Sequence, residues 1–164
     1  MEKIKIGFIG AGKLAKNLGN LFTISGHDVK YGARVPTNDN VSIAEVIEFG
    51  DVIILAIPYH AIPTVLSANE RLLKGKIIVD TSNPVNIDDW SPIFLGEDSS
   101  GEQAARLVPK SKIVKAFNTI FADTMETDKT IYKGLKITAF IASDDHEAAE
   151  VVKNLAEDAG FSGL

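Results

Sequence analysis

Within its first two dozen residues this chain has to turn a strand into a helix with almost no loop between them. "KIKIGFIG" (residues 3–10) is short, rich in isoleucine and closed by glycine, which reads as a buried strand. From Lys13 to Ile24, Leu14, Leu18, Leu21 and Phe22 recur at helical spacing, with Gly26 as the stop. At the junction, Gly10-Ala11-Gly12-Lys13-Leu14-Ala15 follows the pattern G-x-G-x-x-G/A. The first glycine permits the tight turn, the second leaves the backbone open to close approach, and a small third residue lets helix and strand pack. The first N–H groups of such a helix have no partners within it, and the positive end of the helix dipole lies beside them. A pyrophosphate satisfies both, so Gly10, Ala11, Gly12, Lys13 and Leu14 are candidate dinucleotide-binding residues.

A rival reading fails on one residue. Gly7 to Gly12 followed by Lys13 also has the spacing of a triphosphate-binding loop, but the next position is Leu14. Mg²⁺ coordination needs a Ser or Thr hydroxyl there.

The alternation continues along the chain. Strands are expected at 27–34, 51–57, 76–81, 112–117 and 135–142. Helices are expected at 42–50, near 61–73, at 100–108 and after Asp145, the last with Ala148, Val151, Val152 and Leu155 as its buried stripe. Pro63 either begins or kinks the helix near 61–73. Strand following helix from end to end predicts an α/β fold, a doubly wound, mainly parallel sheet with helices on both faces.

Composition narrows the function. Apolar residues make up 45% of the chain and charged ones 24%, ordinary for one globular domain of 164 residues. A net charge of −5 argues against nucleic acid held by general electrostatics. No apolar run is long enough to span a bilayer and the start does not read as a secretory signal, so a cytoplasmic protein without a membrane partner is expected. There is no cysteine, and the three histidines are too scattered for a metal site. His27 and His146 read as surface residues.

The second strand carries the next clue. About 20 residues beyond the glycine turn, a dinucleotide-binding chain usually places an acid for the adenosine ribose. Here Gly32 and Ala33 stand there, followed by Arg34. Without the acid a 2′-phosphate is not repelled, and a guanidinium beside it can pair with the phosphate and stack on adenine. Ala33 and Arg34 therefore point to NADP(H) rather than NAD(H), with Thr37 offering a further hydroxyl. His60, just past the third strand, is a candidate cofactor contact.

Taken together, "IGFIGAGKLAKNLG", "YGARVP", "VIILAIPYHAI", "VDTSNP" and "VKAFNT" resemble the F420-dependent NADP oxidoreductase family. They are equally similar to the cytosolic oxidoreductase domain of the six-transmembrane epithelial metalloreductases. The resemblance implies a Rossmann fold that binds NADP(H) and passes hydride to coenzyme F420 or a flavin (FMN or FAD), with no obligatory catalytic side chain. It assigns Ala11 to Leu14 to the pyrophosphate, Arg34 to the 2′-phosphate, and Ile57 and Pro58 to the ribose and nicotinamide side. Asn83, Pro84, Ala116, Phe117 and Asn118 would frame the nicotinamide and the acceptor. The family often reads Gly-Ser-Arg where this chain has Gly32-Ala33-Arg34. Its members also continue with a C-terminal segment, so residues 1–164 are expected to be one NADP(H)-binding domain lacking that piece, with a homodimer as a compatible assembly. Two other functions fit the residues: a non-catalytic NADP(H)-binding module or sensor, and a small dehydrogenase of hydroxy acids or cyclic imines.

Overall fold

The computed structural model describes residues 3–127 and 129–164. Its framework is a seven-stranded sheet made of β1 (Lys5–Ile9), β2 (Asp28–Ala33), β3 (Val41–Ser42), β4 (Val52–Leu55), β5 (Ile77–Asp80), β6 (Lys112–Ala116) and β10 (Ile141–Ala142). The spatial order is β10-β6-β5-β4-β1-β2-β3, parallel throughout except for β10, which runs antiparallel to β6. β3, only two residues long, gives too short a pattern to be read from sequence. Without β10, this is the 3-2-1-4-5-6 order of the doubly wound fold, whose strand order reverses between β1 and β4.

The helices are α1 (Lys13–Ile24), α2 (Ile43–Phe49), α3 (Ile62–Leu73), α4 (Ser100–Leu107) and α5 (His146–Asp158). Side chains alternate across the strands and sort them into two layers. Ile6, Phe8, Val52, Ile54, Val79 and Val114 face α1 and α5, where they meet Leu18, Phe22, Val152 and Leu155. Ile9, Ile53, Leu55 and Ile78 face α2, α3 and α4, where they meet Val46, Ile47, Leu66 and Ala104. Leu14 departs from its helix's apolar stripe, because it is only half-buried and lines a cavity instead. Val151 is likewise only partly buried.

Pro63 lies in the first turn of α3, behind a 3₁₀ turn at Tyr59–Ala61, so it starts the helix and does not kink it. Two other expectations need correction. The run 135–142 is not one strand. Leu135–Lys136 (β8) closes a hairpin on Ile131–Tyr132 (β7), Thr138–Ala139 (β9) pairs with Ser162–Gly163 (β11), and only β10 joins the main sheet. Three partners in succession bend the chain at points that an apolar pattern does not mark.

His27 is not a surface residue. It is 4% exposed, its Nδ1 accepts from the Ile4 N–H at 3.3 Å, and its Nε2 faces Asp158 Oδ2 at 3.1 Å. Its ring also stands edge-on to Phe22, 6.1 Å between centroids. His146 is exposed, as expected.

Phe22 is the hub of its layer, with Phe8 and Phe117 each at 6.3 Å. Phe22→Ala should therefore cost about 3–5 kcal/mol of unfolding free energy in urea titration, with the cooperative transition kept.

Candidate functional site

The site lies at the carboxyl ends of the parallel strands, around the point where strand order reverses. Three strand ends are joined there through backbone alone. The Gly10 N–H donates to the Gly32 carbonyl, and the Ala56 N–H donates to the Ile9 carbonyl, each at 2.9 Å. Gly10 has φ +114°, and a Cβ on it would lie 2.3 Å from the Ala56 carbonyl oxygen. Over Gly12, by contrast, an added Cβ would meet nothing within 4 Å. Space is therefore kept open directly above the start of α1.

That helix start is also chemically bare. Ser42, Ser99 and Asp145 cap α2, α4 and α5 through side-chain oxygens, and each of those helices has an acid in its first turn. α1 has neither a side-chain cap nor a first-turn acid. Its early N–H groups and positive dipole end remain available to an anion. The Lys13 ammonium does not point over the loop but pairs with Asp123. That hydrogen bond, and then the charge, raises the Lys13 pKa and holds Asp123 below the usual carboxylate range. What Lys13 offers at the turn is its backbone N–H.

Two cavities open on this loop and share Ile57 and Pro58 as a common wall. The smaller, about 480 Å³, is lined by Gly10, Gly32, Ala33, Arg34, His60 and Thr64 among others. Gly32 is glycine for packing, because a Cβ there would come within 2.6 Å of Val46 in α2. Arg34 is exposed, and among the described residues no carboxylate pairs with it. Thr37 lines neither cavity. It forms a bridge with Asn40, and its hydroxyl accepts from the Asp39 N–H at 3.3 Å.

The larger cavity, about 660 Å³, is mostly apolar: Leu14, Ile57, Val85, Trp90 and Phe121 line it with Ser82, Asn83 and Asn118. Asn83 and Asn118 form a clasp across its mouth. The Asn83 amide donates to the Asn118 carbonyl at 2.8 Å, and the Asn118 amide donates to Asn83 Oδ1 at 3.1 Å. Asn118 reaches this position because the backbone turns left-handed at Phe117 (φ 63°), whose ring stays in the core. Ala116 is fully buried in β6 and lines neither cavity, and neither does Pro84, whose carbonyl accepts from the Ile93 N–H.

Sequence reading missed a buried ion pair beneath this cavity. Asp80, with no exposed surface, meets the Lys115 ammonium at 2.8 Å. Lys115 also donates to the Ser82 carbonyl and to Ser100 Oγ at 2.9 Å, so one cation ties β5, the loop after it and the start of α4 to β6. The alternating in-and-out pattern of "KIVKAF" hides this, since a lysine near a strand end ordinarily reaches solvent. Thr64 and Tyr59 were also missed, as ordinary residues of a helix start.

The comparisons with known proteins fall on the same elements. Residues 5–84 match the family described as NADP oxidoreductase, coenzyme F420-dependent. The resemblance read from the sequence holds. Rat metalloreductase STEAP3 is 29% identical over 172 residues, covering 99% of this chain and 34% of that protein. The F420-dependent NADP reductase of Methanothermobacter thermautotrophicus is 26% identical, over 95% of this chain and 66% of its own length. The crystal structure of a hypothetical protein from Sinorhizobium meliloti superposes with a TM-score of 0.87 at 26% identity, covering 99% of this chain and 84% of that one. The chain thus spans about a third of the metalloreductases it matches. Among the described residues, no helix is long and apolar enough to cross a membrane, and no cluster of three or more His, Asp or Glu is placed to hold a metal ion.

The ion pair sets a measurable expectation. Lys115→Met leaves Asp80 charged and buried without its partner, and should cost about 3–5 kcal/mol of stability. The double change Asp80→Leu with Lys115→Met should recover a large part of that loss in denaturant melts.

Proposed function

We propose that this crevice binds NADP(H) and that the protein passes hydride between the nicotinamide and a flat deazaflavin (coenzyme F420) or flavin acceptor. The observation that carries the reading is the division of one crevice into two unlike chambers with a common wall at Ile57 and Pro58. A dinucleotide has the same division: a phosphorylated adenosine half, a pyrophosphate, and an apolar ring at the far end. The uncapped start of α1 and the open space over Gly12 suit the pyrophosphate. Arg34 suits a 2′-phosphate, with His60 and Thr64 on the facing side of the same chamber.

The large apolar chamber suits the nicotinamide and a second flat ring. NADPH supplies the hydride, which is the cofactor's own chemistry. The chain's residues hold the two rings in register and keep water out, Leu14 and Ile57 from beneath and Trp90 and Phe121 at the rim. No proton has to be delivered to an alkoxide or amine for such a transfer, which fits a chamber whose polar residues are serine, threonine, tyrosine and asparagine. The names of the relatives support the same class, since they include F420-dependent NADP reductases and metalloreductases. On this reading the chain is a single NADP(H)-binding domain of a cytoplasmic small-molecule enzyme, alone or as a homodimer.

Titration by the fluorescence of the reduced nicotinamide tests it. NADPH should bind about 10- to 100-fold more tightly than NADH, the span of one charge-assisted contact, and Arg34→Ala should abolish the difference. Equal affinities in the native protein would overturn the assignment. Gly12→Val should still fold, because its side chain enters open space, at a cost of about 0.5–2 kcal/mol because valine is a poor N-cap for α1. The same variant should bind NADPH at least about tenfold more weakly, because that space is where the pyrophosphate goes. Hydride transfer to F420 or FMN, followed by loss of NADPH absorbance, completes the test.

A further inference from the structure

Most polar side chains around the larger cavity have protein partners, and Thr119 and Trp90, which have none among the described residues, are exposed to solvent. The Thr81 hydroxyl donates to the Leu55 carbonyl at 2.9 Å, Asn83 and Asn118 bond each other, and the Tyr59 hydroxyl donates to Gln103 at 2.6 Å. Ser82 is 7% exposed and lines the cavity. Its N–H donates to Asp80 Oδ1 at 2.8 Å, and its carbonyl accepts from the Lys115 ammonium. Its Oγ, withdrawn from solvent, has no hydrogen-bond partner among the described residues.

A buried hydroxyl without a partner is unfavourable, and native proteins rarely keep one without a use. Here the backbone on both sides of the hydroxyl is anchored to a buried ion pair, so the residue cannot move out to water. The side chain itself is held by nothing. A serine changes rotamer by turning about χ1, and no bond has to break for the hydroxyl to turn toward a ligand. Position decides which ligand. Thr81 is tied to Leu55, two residues before the shared wall at Ile57, which puts Ser82 on the cofactor side of the cavity. The exposed Trp90 and Phe121, at 77% and 84%, form the outer rim where a second ring enters.

We propose that the Ser82 hydroxyl is the hydrogen-bonding partner of the carboxamide on the nicotinamide ring, held at its station by the Asp80–Lys115 pair. The proposal rests on the NADP(H) reading above. It makes Ser82 the residue that fixes the ring's rotation about its bond to the ribose, and so which face is offered to the acceptor. A hydroxyl both donates and accepts, which matches an amide carrying a carbonyl oxygen and an NH₂.

Calorimetric titration of native protein and Ser82→Ala with two probes tests this. NADPH carries the carboxamide, and 2′-phosphoadenosine diphosphoribose is the same molecule without the nicotinamide. The variant should bind NADPH about 3- to 10-fold more weakly and the truncated probe unchanged, while its melting temperature without ligand stays level or rises. Ser82→Cys, nearly isosteric with a weak donor, should lie between the two and guards against a folding defect in the alanine variant. Equal weakening toward both probes would make Ser82 a scaffold residue and overturn the proposal, as would no weakening toward either. If the native protein binds the truncated probe and NADPH equally well, the ring makes no contact and this proposal alone falls. If it binds neither, the cofactor reading falls and takes the proposal with it.

Discussion

The site depends on how closely three backbones approach one another around Gly10. β1, β2 and β4 end at the same level, and the chain leaving β1 passes so close to Ala56 that no side chain fits between them. That contact places the start of α1, the loop carrying Arg34 and the loop carrying Ile57 within one ligand's length of each other. Backbone-to-backbone contact is stiff, because hydrogen bonds between main chains have no rotamers to explore. The geometry is therefore set before any ligand arrives, and the side chains above it only choose among ligands.

The far side of the crevice is held in a different way. There β5 and β6 are tied by one lysine that has spent all three of its protons on Asp80, Ser82 and Ser100. An ion pair of this kind adds little net stability over a well-packed apolar substitute, but it fixes register, because the partners cannot slide without leaving a charge bare. The crevice thus has one wall positioned by close packing and the other by charge.

Most of the fold was legible because its signals are local and periodic. The glycine turn, the four apolar strands of the central sheet and all five helices follow from patterns within a dozen residues, and α1 matches its expected bounds at Lys13 and Ile24. The run 135–142 was not legible, because its apolar pattern carries no mark of its three successive partners. His27 failed for a related reason: what buries it is Asp158, far along the chain. In the site, Arg34, Ile57, Pro58 and Asn83 could be read because they follow strand ends, where open parallel sheets gather side chains. Lys115 and Ser82 could not. Their importance lies in which hydrogen bonds are made and which is left unmade, and a linear sequence does not record that. Thr37 follows a strand in the same way as Arg34 but lines neither cavity, because its turn closes on Asn40.

Phe117 combines two demands that pull in opposite directions. Its backbone lies in the left-handed region, where glycine is at ease and a bulky side chain costs about 1–3 kcal/mol. Its ring fills the gap between Phe22 and Phe161, with centroids 6.3 and 5.9 Å away. Glycine would relieve the backbone but leave a hole costing about 3–5 kcal/mol, and any smaller side chain keeps the strain while filling less. Both glycine and a smaller side chain therefore lower stability at this position. A smaller residue here would be tolerated best where Phe22 or Phe161 grew to fill the space the ring leaves.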